Sequence, residues 1–508
     1  MKTSSVESTV LREACGIVGI AHSSDDVALP LYYALYALQH RGQESAGIAV
    51  SRGMSTDEDP DNRGAPVKEI RSERGMGLVA EVFSPQHLAA LQGSMGIGHV
   101  RYPTTGAPLL ENAEPLVVKY QNGEFALAHN GNLVNTRELR AELEREGRIF
   151  HSETDTEVIA QLLARELVEH DPIAALKEVM RRVVGSYSLA ILMDSMLLAV
   201  RDPFGIKPLC IGALTDECRG VNVGYVIASE SPAIDTLGGT LIRDVNPGEV
   251  LVIRASHTAG SRNPAGHRDL KLVRHQLHPG VPSAHCVFEY IYFARPDSVI
   301  DGKLVYNVRM KIGERLAIEH PVSADIVSPV PDSGITCAIG YAKRAGIEYL
   351  EGLIKNRYVG RTFIMPEQKT RDMSVHSKFN IIRANVTGKR VVLVDDSIVR
   401  GTTMRKLVRY LKAAGAKEVH LRIGSPPIIA PCYLGIDTPT RDELIAVTRT
   451  IEAIRDYLAA DSLGYLSLNG LIAAVGIAPK SLCLGCLTEH YPVRIPGERC
   501  STLQATLS

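Results

Sequence analysis

A cysteine followed at once by glycine, Cys15-Gly16 in LREACGIVGI, is the first point in this chain where residue type suggests chemistry. A thiol is mostly protonated near neutral pH and needs a base before it attacks a carbonyl carbon. If the fourteen residues before Cys15 were removed, its own α-amino group could be that base. Such a group has a pKa of about 7.7–8.0, so it could take the thiol proton and return one to a leaving amine. Taken alone, the stretch reads more simply as a buried thiol in a first strand.

A second stretch, KRVVLVDDSIVRGTT, spans residues 389–403. The apolar run Val391–Val394 predicts a strand buried on both faces, ending in Asp395 and Asp396. A short loop with Gly401, Thr402 and Thr403 leads into a helix with Leu407, Val408 and Leu411 on one face. A loop that opens a helix after a parallel strand offers backbone N–H groups to an anion, and Gly401 lets the backbone come close. The threonines add hydroxyls. The paired acids suit ribose hydroxyls and, directly or through water, a magnesium ion on a pyrophosphate. A lone pair of aspartates would be only a solvated strand edge; the ordered run is far more specific.

Elements must position these groups, and the two halves of the chain differ in kind. The first half reads as many short strands with a few helices, such as VALPLYYALYALQHRG up to Gly42 and TRELRAELEREGR stopped at Gly147. SYSLAILMDSMLLAV reads as a hairpin. Polar stretches at 54–67 and 257–272 read as loops, the second near a domain boundary at 255–285. The second half alternates strands with helices, as in ADIVSPVPDSG then TCAIGYAKRAG, which predicts a parallel α/β sheet.

Composition narrows the function classes. The chain has 508 residues, 45% hydrophobic and 22% charged, enough for two or three domains. Lys plus Arg number 56 against 57 Asp plus Glu, so charge gives no sign of a nucleic-acid or membrane partner. No apolar run is long enough to span a bilayer, and the first residues lack a signal peptide's apolar core, which fits a cytoplasmic protein. Nine cysteines make an odd set for a disulfide framework and fit catalysis or metal binding better. Cys483-x-x-Cys486 alone could be redox-active, half of a zinc site, or nothing.

The run from Val391 to Thr403 resembles the phosphoribosyl pyrophosphate signature of type I phosphoribosyltransferases. In the first half, CGIVGI, LQHRGQESAGIA, GIGHVRYPTTG, AHNGNLVN and SETDTEVIA follow in order and closely resemble the glutaminase domain of class II, N-terminal-nucleophile amidotransferases. That resemblance gives each residue a role. Cys15 is the nucleophile, Arg101 clamps the α-carboxylate of glutamine, and Asp155 pairs with its α-ammonium. Asn130 and Gly131 form an oxyanion hole. Each has a bland alternative when isolated: a surface cation for Arg101, a helix cap for Asp155, a hairpin turn for Asn130-Gly131.

Together the halves resemble the glutamine phosphoribosyl pyrophosphate amidotransferase family, from Cys15 to about Tyr491. The implied fold is an αββα N-terminal-nucleophile sandwich followed by an α/β parallel-sheet phosphoribosyltransferase domain. The implied division is a propeptide over 1–14, a glutaminase domain over 15–255, a phosphoribosyltransferase domain over 283–480 and a C-terminal tail over 481–508. The implied reaction makes 5-phosphoribosylamine, glutamate and pyrophosphate, entering purine synthesis. Ser333, Asp395 and Asp396 match positions associated with magnesium, and Gly401, Thr402 and Thr403 match the substrate-binding loop. Lys355 and Arg357 match a loop that closes over the substrate; the alternative is a solvated basic patch.

In one branch of the family, positions matching Cys286, Cys432, Cys483 and Cys486 ligate a [4Fe–4S] cluster and a propeptide precedes the nucleophile. A four-thiolate zinc site is the chemical alternative, and a misassigned start codon the alternative to a propeptide. The resemblance also implies a homotetramer and inhibition by purine nucleotides. Two other classes compete: a regulatory protein sensing phosphoribosyl pyrophosphate, and an uncoupled glutaminase. The balanced charge and the intact first half count against the sensor, and the intact Asp395–Thr403 run counts against the glutaminase.

Overall fold

The computed structural model describes residues 15–23, 26–51, 69–102, 107–193, 196–216, 218–255, 269–356, 379–438 and 440–498. The first half folds into two stacked antiparallel sheets of seven and six strands. Strand Gly16–His22 lies inside the larger sheet, between Met95–Arg101 and Val221–Ala228. The buried layer between the sheets mixes branched aliphatic side chains with six alanines, Ala21, Ala49, Ala126, Ala128, Ala190 and Ala199. Side chains this small let the two sheets approach closely, and Ile17, Ile97, Leu192 and Leu251 fill the space left.

Helices cover both outer faces. Leu31, Ala34 and Leu35 of helix Ala28–Ala37 pack on the larger sheet. Helices Thr136–Arg145, Asp155–Glu166 and Pro172–Arg182 pack on the smaller one. The last of these is capped by Asp171, whose carboxylate accepts from Ile173 and Ala174 N–H, with Pro172 in the first turn. The expected αββα sandwich is present, and the hairpin around Met193 pairs Gly185–Met193 with Met196–Arg201.

The second half is a five-stranded parallel sheet. Strand Arg390–Asp395 runs through its middle, and Val391–Val394 are fully buried, as an apolar run flanked by helices requires. Val392 and Val394 face helices Val305–Glu319 and Ile335–Ala345; Val391 and Leu393 face helix Thr402–Ala413.

Two boundaries differ from the sequence reading. Strand Leu270–Gln276 pairs along its length with Glu249–Ala255, so the first domain continues past 255, and residues 270–272 are strand rather than loop. Alternation of apolar and charged residues at this sheet edge is weak, so the strand is hard to see in sequence. The tail from 481 is no appendage either: Leu482, Leu484, Leu487 and Tyr491 belong to the second domain's core. The 1–14 segment and Arg357 lie outside the described residues.

Candidate functional site

Cys15 opens the first strand and is buried, its Sγ 3.5 Å from the Tyr102 carbonyl. Burial, reinforced by the charge of Glu114, pushes its thiol up to about 12, and Arg101 and Asp155 also act on it electrostatically. Three charged groups distant in sequence therefore surround this thiol. Arg101 ends strand Met95–Arg101 almost fully buried, in an ion pair with Glu44, so it is not a surface cation.

Asp155 begins helix Asp155–Glu166, but the cap is Thr154, whose hydroxyl accepts from Glu157 N–H. The Asp155 carboxylate reaches away from its own helix and accepts from Leu133 N–H at 2.9 Å. Asn130 and Gly131 lie inside strand Gly123–Leu133, paired with Gly185–Met193, not in a hairpin turn. The Asn130 amide is fully buried with neither polar atom partnered among the described residues. An amide in that state fits one waiting for a ligand. Gly131 has no room for a side chain, since a Cβ would meet the Ser186 carbonyl oxygen at 2.1 Å.

Further residues complete this site: Glu114 lies outside the quoted stretches, and His99 and Arg41 lie within them. Glu114 is buried, accepting from His129 N–H at 2.7 Å and from the Thr156 hydroxyl at 2.6 Å. Burial raises its carboxyl to about 7. His99, 3.6 Å from Glu114, is pushed down to about 3 by burial and by Arg101. Arg41, within the quoted LQHRGQESAGIA stretch, donates to the Cys15 carbonyl at 3.1 Å and makes two bonds to Glu289 of the second domain. It also pairs with Glu230, so one buried guanidinium ties the thiol strand to the other half.

The second constellation gathers at the carboxyl end of the parallel sheet. Asp395 and Asp396 are both raised above the usual carboxylate range by burial, and the charge of Asp396 adds to the shift at Asp395. Asp396 is held by hydrogen bonds from Ser333 and Ser397, so Ser333 stands beside the acids. Gly401 has φ of 72° at the start of helix Thr402–Ala413, a left-handed turn that glycine adopts without cost. The Thr402 hydroxyl is buried without a partner among the described residues. Lys355, at the end of strand Leu353–Lys355, is exposed and pairs with Asp332 at 2.7 Å, next to Ser333.

Cys286 and Cys483 sit opposite each other on a two-stranded parallel bridge. Cys432 is near enough to both to influence their ionisation, and all three act in turn on Cys486. Burial raises all four thiols, Cys286 to about 12. Leu434 N–H donates to Cys432 Sγ at 3.3 Å. Among the described residues, no three His, Cys, Asp or Glu are gathered as a single metal ion would require. The loop after Cys432 docks on the first domain: Asn132, Ser186 and the buried Lys207 donate to the carbonyls of Tyr433, Leu434 and Gly435 at 2.9 Å each.

Comparison with known proteins agrees with this geometry. Residues 107–236 match a glutamine amidotransferase domain, and residues 309–423 a phosphoribosyl transferase domain. The amidophosphoribosyltransferase of Archaeoglobus fulgidus is 54% identical over 490 residues, covering 96% of this chain and 99% of that protein. That of Methanothermobacter thermautotrophicus is 50% identical over 492 residues, covering 96% of both. The solved B. subtilis glutamine phosphoribosylpyrophosphate amidotransferase, complexed with ADP and GMP, has a TM-score of 0.83 and 42% identity. It covers 96% of this chain and 99% of that one.

Proposed function

The chain belongs to the amidophosphoribosyltransferase family, and from that premise we propose how its residues divide the first step of purine biosynthesis. The enzyme uses glutamine and phosphoribosyl pyrophosphate and yields 5-phosphoribosylamine, glutamate and pyrophosphate. Cys15 attacks the side-chain amide carbon of glutamine. Its thiol, raised to about 12, is protonated at neutral pH, so the proton must leave during attack. Removal of residues 1–14 frees the α-amino group of Cys15 to accept that proton and pass it to the departing ammonia. Water then releases glutamate from the thioester.

Arg101 exchanges Glu44 for the glutamine carboxylate, Asp155 takes the ammonium, and Asn130 with the Gly131 N–H stabilises the oxyanion. The observation that carries this half is the convergence of Glu114, Arg101 and Asp155 on Cys15 from separate elements.

In the second half, Gly401, Thr402 and Thr403 take the phosphate, and Lys355 and Arg357 contact the pyrophosphate. Asp395, Asp396 and Ser333 fit magnesium, because two buried carboxyls of like charge call for a cation or a proton. When bound, Mg²⁺ supplies charge neutralisation to the pyrophosphate leaving group. Ammonia displaces pyrophosphate from C1 of the ribose.

The four-thiol set fits a [4Fe–4S] cluster. Cys286, Cys432, Cys483 and Cys486 are four thiols that act on one another's ionisation, and as thiolates they would supply the four ligands such a cluster needs. When bound, the cluster would join Cys286, Cys432, Cys483 and Cys486 into one cross-link. Iron and acid-labile sulfide analysis of anaerobically purified protein tests it, and stoichiometric zinc instead would refute it.

The reading includes cytoplasmic location, a homotetramer and purine nucleotide inhibition. In its support, no helix among the described residues is long and apolar enough to cross a membrane, and the B. subtilis neighbour was solved with ADP and GMP. The deciding experiment is glutamate release with and without phosphoribosyl pyrophosphate and Mg²⁺. Strong stimulation is expected; equal release would leave an uncoupled glutaminase. Intact mass of the active protein should lack residues 1–14.

A further inference from the structure

We propose that Glu114 is a positioning residue for glutamine: one buried carboxyl that bonds the segments carrying Asn130 and Asp155 to each other beside Cys15, with the Arg101 segment joined to the same point through the bond of His99 to the His129 carbonyl. Each contact falls within two residues of a substrate-binding side chain. The Thr156 hydroxyl, next to Asp155, donates to Glu114 Oε1 at 2.6 Å. The His129 N–H, next to Asn130, donates to Oε2 at 2.7 Å. His99, two residues before Arg101, stands 3.6 Å from Oε2 and 3.1 Å from the His129 carbonyl.

Glu114 is itself held tightly. It is 4% exposed, and its carbonyl lies so close to Gly47 that a Cβ there would meet it at 2.2 Å. Arg74 donates to the preceding carbonyl, of Ala113, at 2.7 Å.

Both carboxyl oxygens act as acceptors, so the ionised form fits its partners. Protonation puts an O–H where the Thr156 hydroxyl now donates, and that hydroxyl must turn away. The titratable groups facing Glu114 are Arg74, His99, Arg101, His129 and Cys15. Burial outweighs the pull of His129 and Arg101 and raises its carboxyl to about 7, so this rearrangement falls in the working pH range. Glutamine binding is expected to strengthen as pH rises through that value.

The proposal rests on Cys15 serving the glutamine half-reaction, and the experiment separates the two. In Glu114→Gln, the KM for glutamine should rise about tenfold, as when a buried acceptor is lost. The fall of the glutamine KM as pH rises through about 7 should vanish, while the acid limb that the Cys15 α-amino base imposes on kcat stays. Activity with ammonia, which needs the whole chain folded but not this site, should stay at the parent level.

An unchanged KM, or a raised KM that still falls as pH rises through about 7, would overturn the role. So would a parallel loss of glutamine- and ammonia-dependent activity. If Glu114→Gln does not fold, Thr156→Val cuts one attachment and should raise KM in the same direction; no rise there refutes the proposal. Cys15→Ala that still consumed glutamine would instead remove the reading on which the proposal stands.

Discussion

The two sites solve opposite problems. The glutamine site lies within an antiparallel sandwich, where its residues belong to strand interiors and one helix end, nearly all of them buried. The phosphoribosyl site lies at the open end of a parallel sheet, where Lys355 and Asp332 are exposed and the acids sit at a strand terminus. In the first, packing and hydrogen bonds fix the groups before substrate arrives, at the cost of raising the Cys15 thiol and the Glu114 carboxyl. In the second, the groups stand at the exposed end of the sheet, with Lys355 and Asp332 open to solvent. Enclosure by packing therefore belongs to the half that must make a nucleophile, and open access to the half that takes a large anion.

The largest expected effect separates the halves outright. Cys15→Ala should cut glutamine-dependent product formation by about 10⁴-fold or more while activity with ammonia persists. Steady-state assays with each nitrogen source check this, and equal loss with both would mean the halves are not separable.

Next, Asp395→Asn combined with Asp396→Asn should lower activity with either nitrogen source by about 10²–10³-fold. Stability should move the other way. Both carboxyls are raised above their ordinary range, so the folded state favours their neutral forms. Their stabilising contribution is complete below the ordinary carboxylate range and is lost as pH rises through the raised values. At pH 8 without Mg²⁺ the double variant should therefore melt higher than the parent, by calorimetry. A lower midpoint would show that the acids are structural.

The smallest effect is expected at the exposed edge. Lys355→Ala should raise the KM for phosphoribosyl pyrophosphate a few-fold. An exposed ion pair is worth about 0.2–1 kcal/mol, so stability should barely change. A loss matching that of the aspartate variant would place Lys355 in a more rigid role than its exposure suggests.

Particular residues show how far the sequence reached. Val391–Val394 announced a doubly buried strand because apolar runs have few other uses, and the acids after it had to fall at the sheet's carboxyl edge. Gly401 stood out in sequence as a place where backbone can approach a phosphate, and the structure adds the left-handed turn that opens its helix. Asn130-Gly131 was ambiguous, because the same dipeptide serves hairpin turns; only pairing with Gly185–Met193 places it inside a strand. Asp155 looked like a cap, and the neighbouring Thr154 holds that position instead. The strand at 270–276 escaped notice because an exposed sheet edge does not impose strong alternation.

Sequence alone determined which residue types could do chemistry and in what order along the chain, from Cys15 through the paired acids to the four cysteines. Those features are local, set by side-chain chemistry, turn geometry and hydrophobic runs of a few residues. Only the tertiary structure decided that Glu114 bonds the Asn130 and Asp155 segments to each other, that Arg41 links the Cys15 carbonyl to Glu289, and that the loop after Cys432 docks beside the Asn130 strand. These contacts join residues far apart in the chain. Burial of charge in them is tolerated only when partners from other elements arrive, and no pattern within a short window records that requirement.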